Sequence, residues 1–191
     1  MSADAAVLTT VPETTGVPPI TAEARQQRLT AVATNWVGTV KQDPAKAQLV
    51  FSASGAGVGS VGTTIRTGKH TFHVDEPAGL GGDNAAPNPV EVALSAIIAC
   101  QVVTYRVWAL NLGIALDTIE ASAEGDLDVH GFFGLDDAVR PGFTAVRVTV
   151  NVSGPETEAR YRELHAAVDA HCPVLDLFAN PTSVQTTLVV D

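Results

Sequence analysis

Apolar and polar residues alternate from Ile119 to Val129. Ile119, Ala121, Ala123, Leu127 and Val129 fall on one face, and Glu120, Ser122, Glu124, Asp126 and Asp128 on the other. A period of two predicts a half-buried strand. Val146, Val148, Val150 and Val152, after the Arg140-Pro141-Gly142 turn, mark another. Upstream, Gln48 to Ser52 reads as a strand, and so does Thr63 to Val74, broken at Thr67-Gly68-Lys69; together they predict an antiparallel meander. Val184 to Val190 closes the chain as a last strand.

From Val90 to Leu112 the pattern changes, and the chain is apolar nearly all round, ending at Gly113. Asn88 suits an N-cap, Pro89 the first helical position and Glu91 the third, where its carboxylate can reach back to the cap. A helix with so little polar face belongs in a core or a subunit interface. Ser153-Gly154-Pro155-Glu156 reads as a capping box for a further helix. Its stripe of Tyr161, Leu164, Val168 and Cys172 puts Cys172 on the buried face, and Pro173 stops it. Residues 1 to 20, with Pro18-Pro19 and no periodicity, read as a flexible tail. A short helix from Thr21 and a β-prone stretch from Arg28 to Val40 follow. The predicted architecture is one α+β domain over 21–191, with helices laid on an antiparallel sheet.

The 46% hydrophobic content and mean hydropathy of +0.19 supply a core. A formal net charge of −10 disfavours phosphate backbones and anionic lipid faces, so neither nucleic acid nor membrane is expected as a partner. No uninterrupted apolar run approaches a membrane span, and Met1-Ser2-Ala3-Asp4 does not open a secretory signal, so a soluble, cytoplasmic protein is expected. In a reducing compartment the two cysteines are either inert core or redox chemistry.

Gly57-Val58-Gly59-Ser60-Val61-Gly62 matches a dinucleotide fingerprint by letter, but β-branched, turn-like residues follow it where a helix is required. A hairpin loop is the better reading, and no cofactor is expected. Glu124, Asp126, Asp128 and His130 share a strand face that could hold a hard cation, although a solvated acidic face explains them more simply. The five histidines include no His-x-x-x-His pair, so no metal is expected.

Asp75-Glu76-Pro77, Leu80-Gly81-Gly82, Asn88-Pro89, the Ala-rich helix reaching Cys100, and Cys172-Pro173-Val174 before a last strand together resemble the OsmC/Ohr family, the osmotically inducible and organic hydroperoxide resistance proteins. The resemblance runs from about residue 28 to 191. It implies an intertwined homodimer whose two long helices cross a shared core, with paired active sites at the interface. It also implies that Cys100 attacks an organic hydroperoxide, that Cys172 resolves the sulfenic acid as a disulfide, and that a thiol reductant such as a dihydrolipoyl protein restores both. In the family's peroxidases an arginine of the early hairpin activates the first cysteine, held by a glutamate ten residues before it. That position here is Val90, with Glu91 one residue on and committed to the cap. Arg66 is the preferred arginine, ahead of Arg28 and Arg106. The departure at Val90 keeps a rival open: an OsmC-like dimer that binds a small hydrophobic molecule in the interface cleft, with both cysteines as packing.

Overall fold

The computed structural model describes residues 16–190. The expected tail therefore lies outside the description up to residue 15, and residues 16–20 are irregular. Thr21 caps the first helix, α1 (Ala22–Gln42), by accepting the Ala24 N–H at 3.2 Å. This corrects the short helix and the β-prone stretch from Arg28 to Val40. Leu29, Val32, Ala33, Trp36, Val37 and Val40 recur at steps of three and four, and that stripe outweighs the weak β preference of the Thr and Val between them.

A 3-10 turn, Pro44–Ala47, leads to an irregular segment in which Val50 and Phe51 are 98% and 87% exposed, so the strand expected at Gln48 to Ser52 is absent. The first strand is instead β1 (Ser54–Val58), which pairs antiparallel with β2 (Gly62–Thr67), and β2 pairs with β3 (His70–Val74). Pairing fixes where β1 lies: Ser54 stands opposite Arg66, and Gln48 to Ser52 run beyond the end of β2. The meander is as expected, and the Gly-rich fingerprint forms a strand and a hairpin turn at 59–61.

The loop from Asp75 to Pro87 is a clasp. The buried Asp75 carboxylate accepts the N–H groups of Asp83 (3.0 Å) and Ala85 (3.1 Å), and the Asp75 N–H donates to Pro87 O. The backbone amides of Ala85 and Glu76 hold its pKa below the ordinary carboxylate value. A side chain at Gly82 would collide with the Glu76 carbonyl, and Gly81 has φ +87° at the end of a short 3-10 turn, which explains the paired glycines.

That clasp delivers Asn88 to the start of α2 (Pro89–Leu112), whose reciprocal bonds with Glu91, both 2.8 Å, complete the expected capping box. Gly113 ends the helix with φ +61°. One stripe of α2, Ile97, Gln101, Thr104, Tyr105 and Ala109, is buried, whereas Val103 on another face is 62% exposed. By length and average composition α2 could cross a membrane, although polar residues interrupt its apolar run. Buried Gln101 and Thr104 and half-buried Arg106 instead mark it as the spine of a domain.

Strands β4 (Thr118–Asp126) and β5 (Ala145–Ser153) form an antiparallel ribbon against α2, and each alternates between exposed and half-buried residues. β4 stops earlier than the alternation suggests, because Asp128 caps a short helix, α3 (Val129–Phe132), by accepting the His130 N–H. Arg147 bridges Asp126 at 2.6 and 2.8 Å and Glu124 at 3.4 Å. The carboxylate row is thus a solvated ion-pair face, and no metal-binding group of three forms among the described residues.

The next helix, α4 (Glu158–His171), is capped by Thr157, which corrects the capping box at Ser153. Ser153 is held by β5: it pairs with Thr118, their hydroxyls lie 2.6 Å apart, and its carbonyl accepts the Asp117 N–H. Leu164 and Val168 are fully buried against α2 with Tyr105, Ala109, Ile114 and Leu116. The Tyr105 hydroxyl lies 2.6 Å from His165 Nδ1, and burial followed by the Asp169 charge pushes that phenol up to about 12. Cys172 ends α4 and opens α5 (Pro173–Ala179), so Pro173 stops one helix and starts another. The expected last strand, Val184 to Val190, pairs with nothing among the described residues, and Leu188 is 86% exposed. A strand exists by its partner, and this segment pairs with neither sheet.

Candidate active site

Three helices meet at the two cysteines. Cys100 lies midway along α2, half-buried, and Cys172 occupies the α4–α5 junction at 2% exposure. Both are free thiols, and Cys172 is close enough to Cys100 to act on its titration. The periodicity of α4 made the burial of Cys172 legible, and the structure joins it to a residue 72 positions earlier.

Burial is the main influence on Cys100 and pushes its thiol above the ordinary value. The Val174 N–H, in the first turn of α5, opposes this by hydrogen bonding to the sulfur. The adjoining Cys172 raises the value further, and the Thr104 hydroxyl lowers it. Thr104 also donates to the Cys100 carbonyl at 2.8 Å, one turn along the same helix. Sequence reasoning singled out neither group. Thr104 is readable as the i+4 neighbour of Cys100, and the Val174 amide becomes visible once Pro173 is seen as the first residue of a helix.

Among the described residues, no cation acts on Cys100. Arg66 stands exposed on β2, opposite Ser54 and Thr71. Arg28 is exposed on α1, and Arg106 donates to Leu116 O and Asp117 O. Val90, at the second position of α2, is 38% exposed. Cys100 alkylation by iodoacetamide, followed by peptide mapping, should therefore keep accelerating as the pH rises well past neutrality. A plateau near neutrality would show a thiolate stabilised by a cation.

A cavity of about 410 Å³ is lined by residues of α2, β5 and α5, and neither cysteine is among them. Ile97, one turn before Cys100, Phe143, Val146, Leu175 and Phe178 give it apolar walls, with Arg140 as a cation among the lining residues. Such a cavity can take a largely apolar molecule.

The model of the OsmC-like protein family matches residues 81–187, more than half of the chain. No curated protein matches. Among solved structures, the OsmC like protein from Mycoplasma pneumoniae is similar at a TM-score of 0.60 and 15% identity, over 69% of this chain and 89% of that one. An organic hydroperoxide resistance protein OsmC from Legionella pneumophila gives 0.54 and 20%, over 68% and 89%. An organic hydroperoxide resistance protein from Elizabethkingia anophelis gives 0.54 and 19%, over 68% and 88%. These likenesses establish the α+β fold with antiparallel strands, and the family match covers the long helix, both cysteines and the segment beyond them. The chain belongs to the OsmC-like protein family, as a divergent member.

Proposed function

We propose that this chain is a homodimeric thiol peroxidase that reduces organic hydroperoxides. Cys100 is the attacking thiol and Cys172 the resolving one. The observation that carries this reading is that the chain's two cysteines, 72 positions apart, are brought close enough to interact. The hydroperoxide resistance proteins among its structural neighbours favour the same chemistry.

The deprotonated Cys100 sulfur attacks the terminal oxygen of R–O–OH. The O–O bond breaks, RO⁻ takes a proton and leaves as the alcohol, and sulfur is left as a sulfenic acid. Cys172 sulfur then attacks Cys100 sulfur, an S–S bond forms, and the hydroxyl leaves as water with the Cys172 proton. A dithiol, such as a dihydrolipoyl group, returns both thiols and is itself oxidised. That cycle suits the reducing cytoplasm, where we place the protein.

Exposed apolar side chains support the dimer. Phe51, Val103 and Leu188 are among the residues that an interface would cover. Sedimentation at micromolar concentration should give twice 19.8 kDa, and a monomer would overturn the assembly.

The rival, a dimer that binds a hydrophobic ligand without reducing it, is favoured by the raised Cys100 pKa and by valine at position 90. Consumption of cumene hydroperoxide with dihydrolipoamide as reductant decides between them. Turnover supports the peroxidase, and binding without consumption supports the rival.

A further inference from the structure

A second cavity, of about 290 Å³, lies between the first turns of α1 and the C-terminal turns of α2, beginning about 9 Å further along α2 than Cys100. Arg25 and Leu29 line it from α1, Arg106 and Leu110 from α2, and Ile114 from the following segment. Two guanidinium groups thus face one space. Arg106 is pinned there by its bonds to Leu116 O (2.9 Å) and Asp117 O (3.4 Å), which leave other N–H groups uncommitted. Among the described residues, neither Arg25 nor Arg106 has a carboxylate at ion-pair distance.

The cavity walls also include Asp117 and Glu156. Glu156 accepts the Ala115 N–H at 3.1 Å and is occupied in holding the backbone. Burial, and next the charge of Arg25, hold the Arg106 guanidinium below its ordinary pKa, and Asp117 offsets this in part. With no carboxylate at ion-pair distance from either guanidinium, an anion placed between the two would gain a direct partner on each side. Packing does not explain the arrangement either, because α1 contributes no buried residue to the core.

We propose that this cavity binds a small amphipathic carboxylate, whose carboxylate bridges Arg25 and Arg106 and whose hydrocarbon body lies on Leu29, Leu110 and Ile114. A guanidinium matches a carboxylate in geometry as well as charge, and the apolar wall adds what a bare anion cannot use. The volume is at the small end of the ~300–1,000 Å³ typical of ligand pockets, which limits the occupant to a short chain or a single ring.

Calorimetric titration of the full chain with octanoate tests this, with octanol and inorganic phosphate as comparison probes. The expected result is saturable binding of one octanoate per chain, with both other probes at least about tenfold weaker. Arg25→Gln should weaken octanoate by about tenfold or more, and Arg25→Lys should retain part of the affinity, as expected for a charge-assisted contact. Arg25 lies on a helix with no buried residues, so circular dichroism should show both variants folded. The proposal is overturned if octanoate does not saturate, if octanol or phosphate binds as well as octanoate, or if folded Arg25→Gln binds octanoate unchanged.

Discussion

Cys100→Ser is expected to abolish hydroperoxide consumption, to the background of the reductant alone. The hydroxyl that replaces the thiol cannot be oxidised by a hydroperoxide, and no third cysteine exists to substitute. The exchange is nearly isosteric at a half-buried position, so the far-UV signal and the dimer mass should persist. Cys172→Ser is the informative companion. Its Cys100 should still reduce one equivalent of hydroperoxide and then stop at the sulfenic acid, detectable with dimedone. Residual turnover in Cys100→Ser would mean that the chemistry lies elsewhere, and an inert Cys172→Ser would remove the reason for naming Cys100 as the attacking group.

Leu164→Ala should give the largest loss of stability among single core substitutions on α4. Leu164 is 0% exposed and joins Tyr105, Ala109 and Val168 where α4 meets α2. Truncating a leucine so enclosed costs about 3 kcal/mol, from lost transfer energy and the cavity left behind. Against a total of roughly 5–15 kcal/mol this is a substantial fraction, to be read by denaturant unfolding at fixed protomer concentration. The same contact sets α4 against α2 and so places Cys172 beside Cys100. The surviving folded fraction should therefore also form its disulfide more slowly. A loss below about 1 kcal/mol would show that this helix pair is not part of the cooperative core.

The start of α2 was legible because its signal is local: Asn88, Pro89 and Glu91 each act within one turn. The alternations of β4 and β5 were legible because a half-buried strand writes its period into the chain. The misreadings have the opposite character. Gln48 to Ser52 and Val184 to Val190 have strand composition, but the backbone groups of a strand need a partner, and sequence composition does not say whether one is present. Ser153 and Thr157 both offer a capping side chain, and the cross-strand bond to Thr118 decides between them. At the site, the cysteines could be found by resemblance and by helical phase. The Val174 amide could not, because it depends on α5 beginning directly after α4.

A peroxidase of the proposed kind needs its two thiols, remote in sequence, to act as one redox pair. The most direct test of that pairing is peptide mapping without reductant after brief treatment of the reduced protein with an organic hydroperoxide. The predicted result is an intrachain Cys100–Cys172 disulfide formed in step with loss of both free thiols. Recovery of both cysteines as free thiols, from protein shown to be folded and dimeric, would contradict it.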